Sequence, residues 1–277
     1  MKPSRRPAPH REARDLRVAA AALCASVLAD SAVEHYRGSF ENPAMFAPLG
    51  ASALGLVVAA NAAASGHLSR RLRGPTYALA LAVGGAGLGF HLFNVLRQPG
   101  GARWLNLFYA APVGAPAALG LAGALGFAGD RVAAQRRRVR IFRLPAGRIL
   151  CALVAAGLAG TIAEVGLLHY RGSFQNPFMW LPVCVPPVAA ALTAKAALEP
   201  GRHLRPHRLT RWWLRLTAFL GIAGVGFHGY GISRAMGGWR NWQQNVVDGP
   251  PLPAPPSFSA LAIAGLAALR LRERDDG

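Results

Sequence analysis

Four of the eight histidines occur in two matched settings. His91 follows Gly84 and Gly87, and His228 follows Gly221 and Gly224, each by seven and four residues. On a helix those intervals place the glycines on the histidine's own face, so each imidazole stands over two turns without side chains. Such a groove suits a flat group lying against the helix, and a haem iron held by paired histidines is the chemistry it fits. Close helix packing through small residues is the competing reading. His35 and His169 form the second pair, each followed by Tyr-Arg-Gly-Ser-Phe. Ligation shared with His91 and His228 gives one bis-histidine site in each half, with haem or a transition metal as the cofactor. No pattern names a catalytic residue or a particular metal.

Charged groups recur beside these histidines. Asp30 and Glu164 precede His35 and His169 by five residues, about 140° around a helix. They are therefore expected to turn away from those rings, toward the seam between the halves and toward Arg97 or Arg234. Six arginines form matched pairs: Arg37 with Arg171, Arg97 with Arg234, and Arg103 with Arg240. They suit bidentate contacts to an anion or to haem propionates, while single interfacial arginines commonly reach lipid headgroups. Asn42-Pro43 and Asn176-Pro177 read as helix starts, Asn capping and Pro at the first helical position. Met45 and Met179 then fall in the first turn, as gap-fillers or thioether ligands. Nucleophile-elbow, Walker, HExxH and dinucleotide signatures are absent.

The elements that would position these residues are apolar runs. The chain has 277 residues, 52% apolar and 16% charged, and a soluble domain usually carries about 25% charge. Eight runs approach the roughly 20 residues that a bilayer crossing needs: 16–35, 44–65, 76–96, 107–128, 148–169, 178–198, 212–233 and 255–271. A basic tail before the first run raises a cleaved signal peptide, but the matching fifth run lies mid-chain, so the first is expected to be retained. The net charge of +19 does not indicate nucleic acid, because the basic residues sit in short clusters between apolar runs rather than on one soluble face. Placing both termini in the cytoplasm puts 25 of the 31 Lys and Arg inside and leaves only the six paired arginines outside, as the positive-inside rule requires. Cys24, Cys151 and Cys184 each lie in an apolar run and suggest neither zinc nor disulfides.

Self-similarity organises the rest. His35 to Met45 recurs at His169 to Met179 with nine of eleven positions identical. Gly84-x-Ala-Gly-x-Gly-Phe-His91 returns at Gly221 to His228, Gly100-Gly101-x-Arg103 at Gly237 to Arg240, and Pro112…Ala115-Pro116 at Pro251…Ala254-Pro255. The expectation is an all-α polytopic membrane protein of about eight spans in two parallel four-helix repeats, related by a pseudo-two-fold axis along the membrane normal. Its parts are a basic cytoplasmic tail (1–15), repeat 1 (16–128), a basic cytoplasmic linker (129–147), repeat 2 (148–271) and a cytoplasmic tail (272–277). The matched ionisable residues fall at the outer face. In the second half the outer loop carries Trp239 and Trp242, and its amides (Gln243, Gln244, Asn245) and Asp248 have no close equivalents in the first half. Three roles fit an inner-membrane protein of this kind: a binding or redox protein holding haem or metal in duplicated His/Arg pockets, a transporter or solute-binding protein using the arginines for an anion, or an accessory subunit meeting a periplasmic or membrane partner. Lipid is the expected surroundings in all three.

Overall fold

The structure, a computed structural model, describes residues 10–64, 68–110, 112–135, 139–200 and 207–276. Among the described residues it is helical apart from turns and one antiparallel hairpin of β1 (Arg140–Ile141) and β2 (Leu144–Pro145). The helices of the first half are α1 (His10–Arg37), α2 (Phe46–Ala64), α3 (Arg70–Leu96), the short α4 (Trp104–Tyr109) and α5 (Gly114–Ala134). The second half has α6 (Ala146–Arg171), α7 (Leu181–Leu198), α8 (Arg208–Arg234) and α9 (Pro256–Asp276). Short 3₁₀ turns at Pro43–Met45 and Pro177–Trp180 lead into α2 and α7.

Six of these helices are long and apolar enough to cross a membrane: α1, α3, α6 and α8, and α2 and α7 with their leading turns. The helices at the expected fourth and eighth spans, α5 and α9, are not among the six. Their place in the fold supplies the reason. Helix α5 packs on α1 and α3, and α9 packs on α1, α6 and α8. Leu119 and Leu125 of α5, and Ala260, Ala264, Ala267 and Leu269 of α9, are fully buried. A helix enclosed by other helices gains more from small residues that allow close approach than from an apolar coat. By contrast, α3 and α8 leave Leu79, Phe90, Phe93, Phe219 and Ile222 uncovered, as hydrocarbon-facing helices do.

Two expected boundaries move. The run at 107–128 is not one helix: Leu107 belongs to α4, the backbone at Ala110 is extended, and α5 starts at Gly114. Pro112 accounts for the break, since a proline lacks the amide hydrogen and disfavours a helical residue before it. The expected tail at 1–15 is helical from His10 onward.

One end of the bundle is held by ion pairs that apolar periodicity does not reveal. Asp130 of α5 receives Arg17 of α1 at 2.6 Å and Arg73 of α3 at 3.2 Å, both guanidinium side chains being nearly buried. Arg17 also donates to the Ala62 carbonyl of α2 at 3.1 Å. Glu12, 2% exposed, lies 3.6 Å from Arg270 and 3.4 Å from Arg274 of α9, and Asp15 pairs with Arg270. These contacts gather the amino ends of α1 and α3 with the carboxyl ends of α2, α5 and α9. The matched histidines lie at the opposite ends of their helices. Helix α1 packs along α9, whereas the corresponding pair, α6 and α5, touch far less.

Candidate functional site

The His-Tyr-Arg-Gly-Ser-Phe-x-Asn-Pro segments build two equal helix corners. After α1, the amide of Phe40 donates to the His35 carbonyl at 3.0 Å, and after α6 the amide of Phe174 donates to the His169 carbonyl at 3.1 Å. Ser39, Phe40, Ser173 and Phe174 all adopt left-handed backbone, with φ between 45° and 55°, a rare state for a bulky residue. Ring stacking holds it: Phe40 lies 4.5 Å from Phe46, and Phe174 lies 4.1 Å from Trp180. Asn42 and Asn176 accept from the amides of Ala44 and Phe178 at 2.9 and 3.0 Å, the capping role expected of them. Met45 and Met179 lie beneath Gly38 and Gly172, where a β-carbon would come within 3.8 and 3.0 Å of the methionine methyl. The methionines fill the corner. Asn176→Ala is expected to lower stability by about 1 kcal/mol, read as a small fall in Tm of the detergent-purified protein.

The four histidines share one hydrogen-bond pattern. The Nδ1 of His35 lies 2.8 Å from the Met45 carbonyl, and that of His169 lies 2.7 Å from the Met179 carbonyl. His91 reaches the Pro112 carbonyl at 2.6 Å, and His228 reaches the Pro251 carbonyl at 2.8 Å. A carbonyl only accepts, so Nδ1 carries a hydrogen, and in the neutral ring Nε2 keeps a free lone pair. Each ring pins a helix end to the segment leading into a later helix and is only half-buried. In the second half His169 lies within electrostatic range of His228. Among the described residues no group of three or more His, Cys, Asp or Glu is placed to hold a metal ion. His207 sits at the ion-paired end near Glu199, and His67 and His203 lie outside the described residues.

The glycine rows are filled. A β-carbon on Gly84 would lie 2.7 Å from the Pro116 carbonyl and 2.8 Å from the Gly120 α-carbon of α5. On Gly87 it would meet the Pro116 ring at 3.1 Å. Gly221 faces the Pro255 carbonyl and the Ser259 amide of the α8–α9 contact, each at 2.8 Å, and Gly224 faces the Pro255 ring at 2.7 Å. The first turns of α5 and α9 thus occupy the space where a flat cofactor was expected. Gly84, Gly87, Gly221 and Gly224 serve helix packing.

The carboxylates do cross the seam. Glu164 of α6 accepts the amide of Gly114, the first residue of α5, at 2.9 Å; neither Arg97 nor Arg234 is its partner. Asp30, its counterpart on α1, faces the loop before α9, where it lines a cavity of about 210 Å³ with Glu34, Val33, Val246, Leu252 and Pro253. Among the described residues Asp30 has no hydrogen-bond or ion-pair partner. The arginines do not form one rim. Arg37 bridges Glu34 at 2.9 Å and Asp248 at 3.4 Å. Arg171 donates to the Ala110 carbonyl at 3.4 Å and covers the Phe108 ring at 5.3 Å. Both reach the loop before the last helix of the opposite half. Arg97 lies 6.0 Å over Phe93 of its own helix. Arg103, Arg234 and Arg240 are exposed and have no carboxylate within ion-pair distance among the described residues.

Sequence reasoning singled out the divergent loop carrying Asp248 but not the exchange that Pro253 makes within it. The register Pro112…Pro116 against Pro251…Pro255 equates Pro253 with Gly114, and only the partner of Gly114 gives that exchange a meaning. No family model, curated protein or solved structure matches the chain.

Proposed function

We propose that the protein is a solute-binding or transport protein of the cytoplasmic membrane, with its site at the seam between two parallel four-helix repeats. In this reading α5 and α9 complete eight spans, both termini are cytoplasmic, and the histidine end faces outward. One observation carries it: both matched carboxylates leave their own half and meet the start of the last helix of the other, one against an amide and one against a cavity. Buried ionisable groups inside a membrane bundle mark ligand or ion paths, and parallel-repeat carriers place their sites between the repeats. The unequal seams, close between α1 and α9 and loose between α5 and α6, provide a pair of surfaces that can part. Arg103, Arg234 and Arg240 stay available to headgroups or anions.

The test is a thermal-stability screen of the purified protein against cationic, anionic and neutral small solutes. At least one class is expected to raise Tm. Val33→Trp, which fills the cavity, should abolish that rise, and Val57→Trp at a 64% exposed position should leave it intact. No rise with any class, or a rise that survives Val33→Trp, overturns the reading.

A second reading places a haem iron between the histidines of each half, supported by the four free Nε2 atoms, since metal-bound histidines commonly donate their other ring nitrogen to a carbonyl. A Soret band in protein from haem-replete cells, lost in His91→Ala and His228→Ala, is its expected signature; an absorbance scan without the band sinks it.

A further inference from the structure

Equivalent places in the two halves have been resolved differently. Glu164 is satisfied from within the chain, because Gly114 presents its amide hydrogen at 2.9 Å. At the matching position the first half faces Pro253, which has no amide hydrogen to give. The loop that carries Pro253 is fixed in place: Ser26 of α1 donates to the Pro253 carbonyl and lies 3.0 Å from the Ser257 hydroxyl. Asp30 is thus left facing a partly open cavity rather than a donor. An ionised carboxylate among apolar walls is costly unless a counter-charge or donor reaches it.

The surroundings define that missing counter-charge. Val33, Val246, Leu252 and Pro253 make the walls apolar. Glu34, whose counterpart in the second half is Leu168, adds a second carboxylate to the lining. Among the described residues Arg37 is the guanidinium paired with this lining, and it is divided between Glu34 and Asp248. Glu164 and Arg171 lie within electrostatic range as well, so four carboxylates stand against two guanidinium groups. The volume, about 210 Å³, holds several waters at about 30 Å³ each or one small organic molecule. A divalent metal is a poor match, since it takes six or more oxygens and the walls are hydrocarbon. An ammonium group with a short alkyl body matches both the charge and the walls.

We infer that the cavity between α1 and the loop before α9 binds a small protonated amine, its ammonium on Asp30 and its alkyl body against Val33, Val246 and Leu252. The inference rests on the seam reading above and gives it a substrate class.

Calorimetry on the intact protein in detergent tests it with n-butylammonium, butyrate and 1-butanol as probes. Butylammonium is expected to bind, and neither of the others to compete with it. Asp30→Asn should weaken binding by roughly tenfold to a hundredfold, the range for a hydrogen bond to a charged group. Pro253→Gly restores an amide hydrogen opposite Asp30 without altering any charge and should weaken amine binding by roughly tenfold as well. If that variant does not fold, Pro253→Ala supplies the same amide. Glu199→Gln, at the ion-paired end of the bundle, should leave amine affinity unchanged. Full-strength binding in Asp30→Asn or in both Pro253 variants overturns the inference. Binding of butyrate without butylammonium also overturns it while leaving a seam site standing, and absence of binding by every solute removes both.

Discussion

Leucine at Gly84 is expected to leave no monodisperse folded protein, and alanine there to remove about 3 kcal/mol or more of stability, at or beyond the upper end of ordinary overpacking. The reason is the kind of atom that the new β-carbon meets. Beside Gly84 it meets backbone, the Pro116 carbonyl and the Gly120 α-carbon, and a main chain inside a helix cannot rotate away as a side-chain tip does. Helices α3 and α5 would have to separate along their length. Gly85, one residue on, has nothing within 4 Å of a built β-carbon, so Gly85→Ala and Gly85→Leu should behave like the native chain. Size-exclusion profiles and Tm of the four variants separate the outcomes. Equal tolerance at both positions would return Gly84 to the role of an open groove.

Asp130→Ala should be nearly as damaging, by about 3–5 kcal/mol, the loss found when one partner leaves a buried ion pair. Asp130 ties Arg17 and Arg73 together between three helices, and its removal strands two guanidinium groups that are nearly shielded from solvent. Arg17 retains the Ala62 carbonyl, so Arg73 is left with the larger deficit. The double variant Asp130→Ala with Arg73→Met is therefore expected to recover part of the loss. A double-mutant cycle on Tm or on denaturant midpoint measures the coupling. Additive effects would show that Asp130 and Arg73 do not share an interaction.

The helices and the ends bearing the paired histidines were legible in the sequence because hydrophobic runs and retained motifs report directly on burial and local geometry. The Asn-Pro starts, the positive-φ pairs Gly100-Gly101 and Gly237-Gly238, and the histidines' places near helix ends all follow from short-range chemistry. What lay against each face was not legible. A row of glycines announces a close approach but not its occupant; the retained Pro116 and Pro255, now seen against Gly87 and Gly224, were the overlooked sign. Asp130 offered another sign, as the lone acidic residue beside a run of arginines. The different fates of Asp30 and Glu164 needed the fold itself, because they depend on residues 50 or more positions away. The arginine pairs matched in sequence yet separated in use, since Arg37 found a carboxylate and Arg171 a carbonyl and a ring.

The enclosed position of α5 and α9 has a consequence for biogenesis. On the eight-span reading, both helices fall short of the apolar length and composition of the other six, so each is expected to pass from the insertion machinery onto helices already in place. Synthesis order permits this, because α1, α2 and α3 precede α5, and α1, α6 and α8 precede α9. The first half can therefore complete itself before the second emerges. Ribosome-arrested chains ending between α8 and α9 should expose an uncovered glycine face on α8, and should be the intermediates that quality-control proteases recognise.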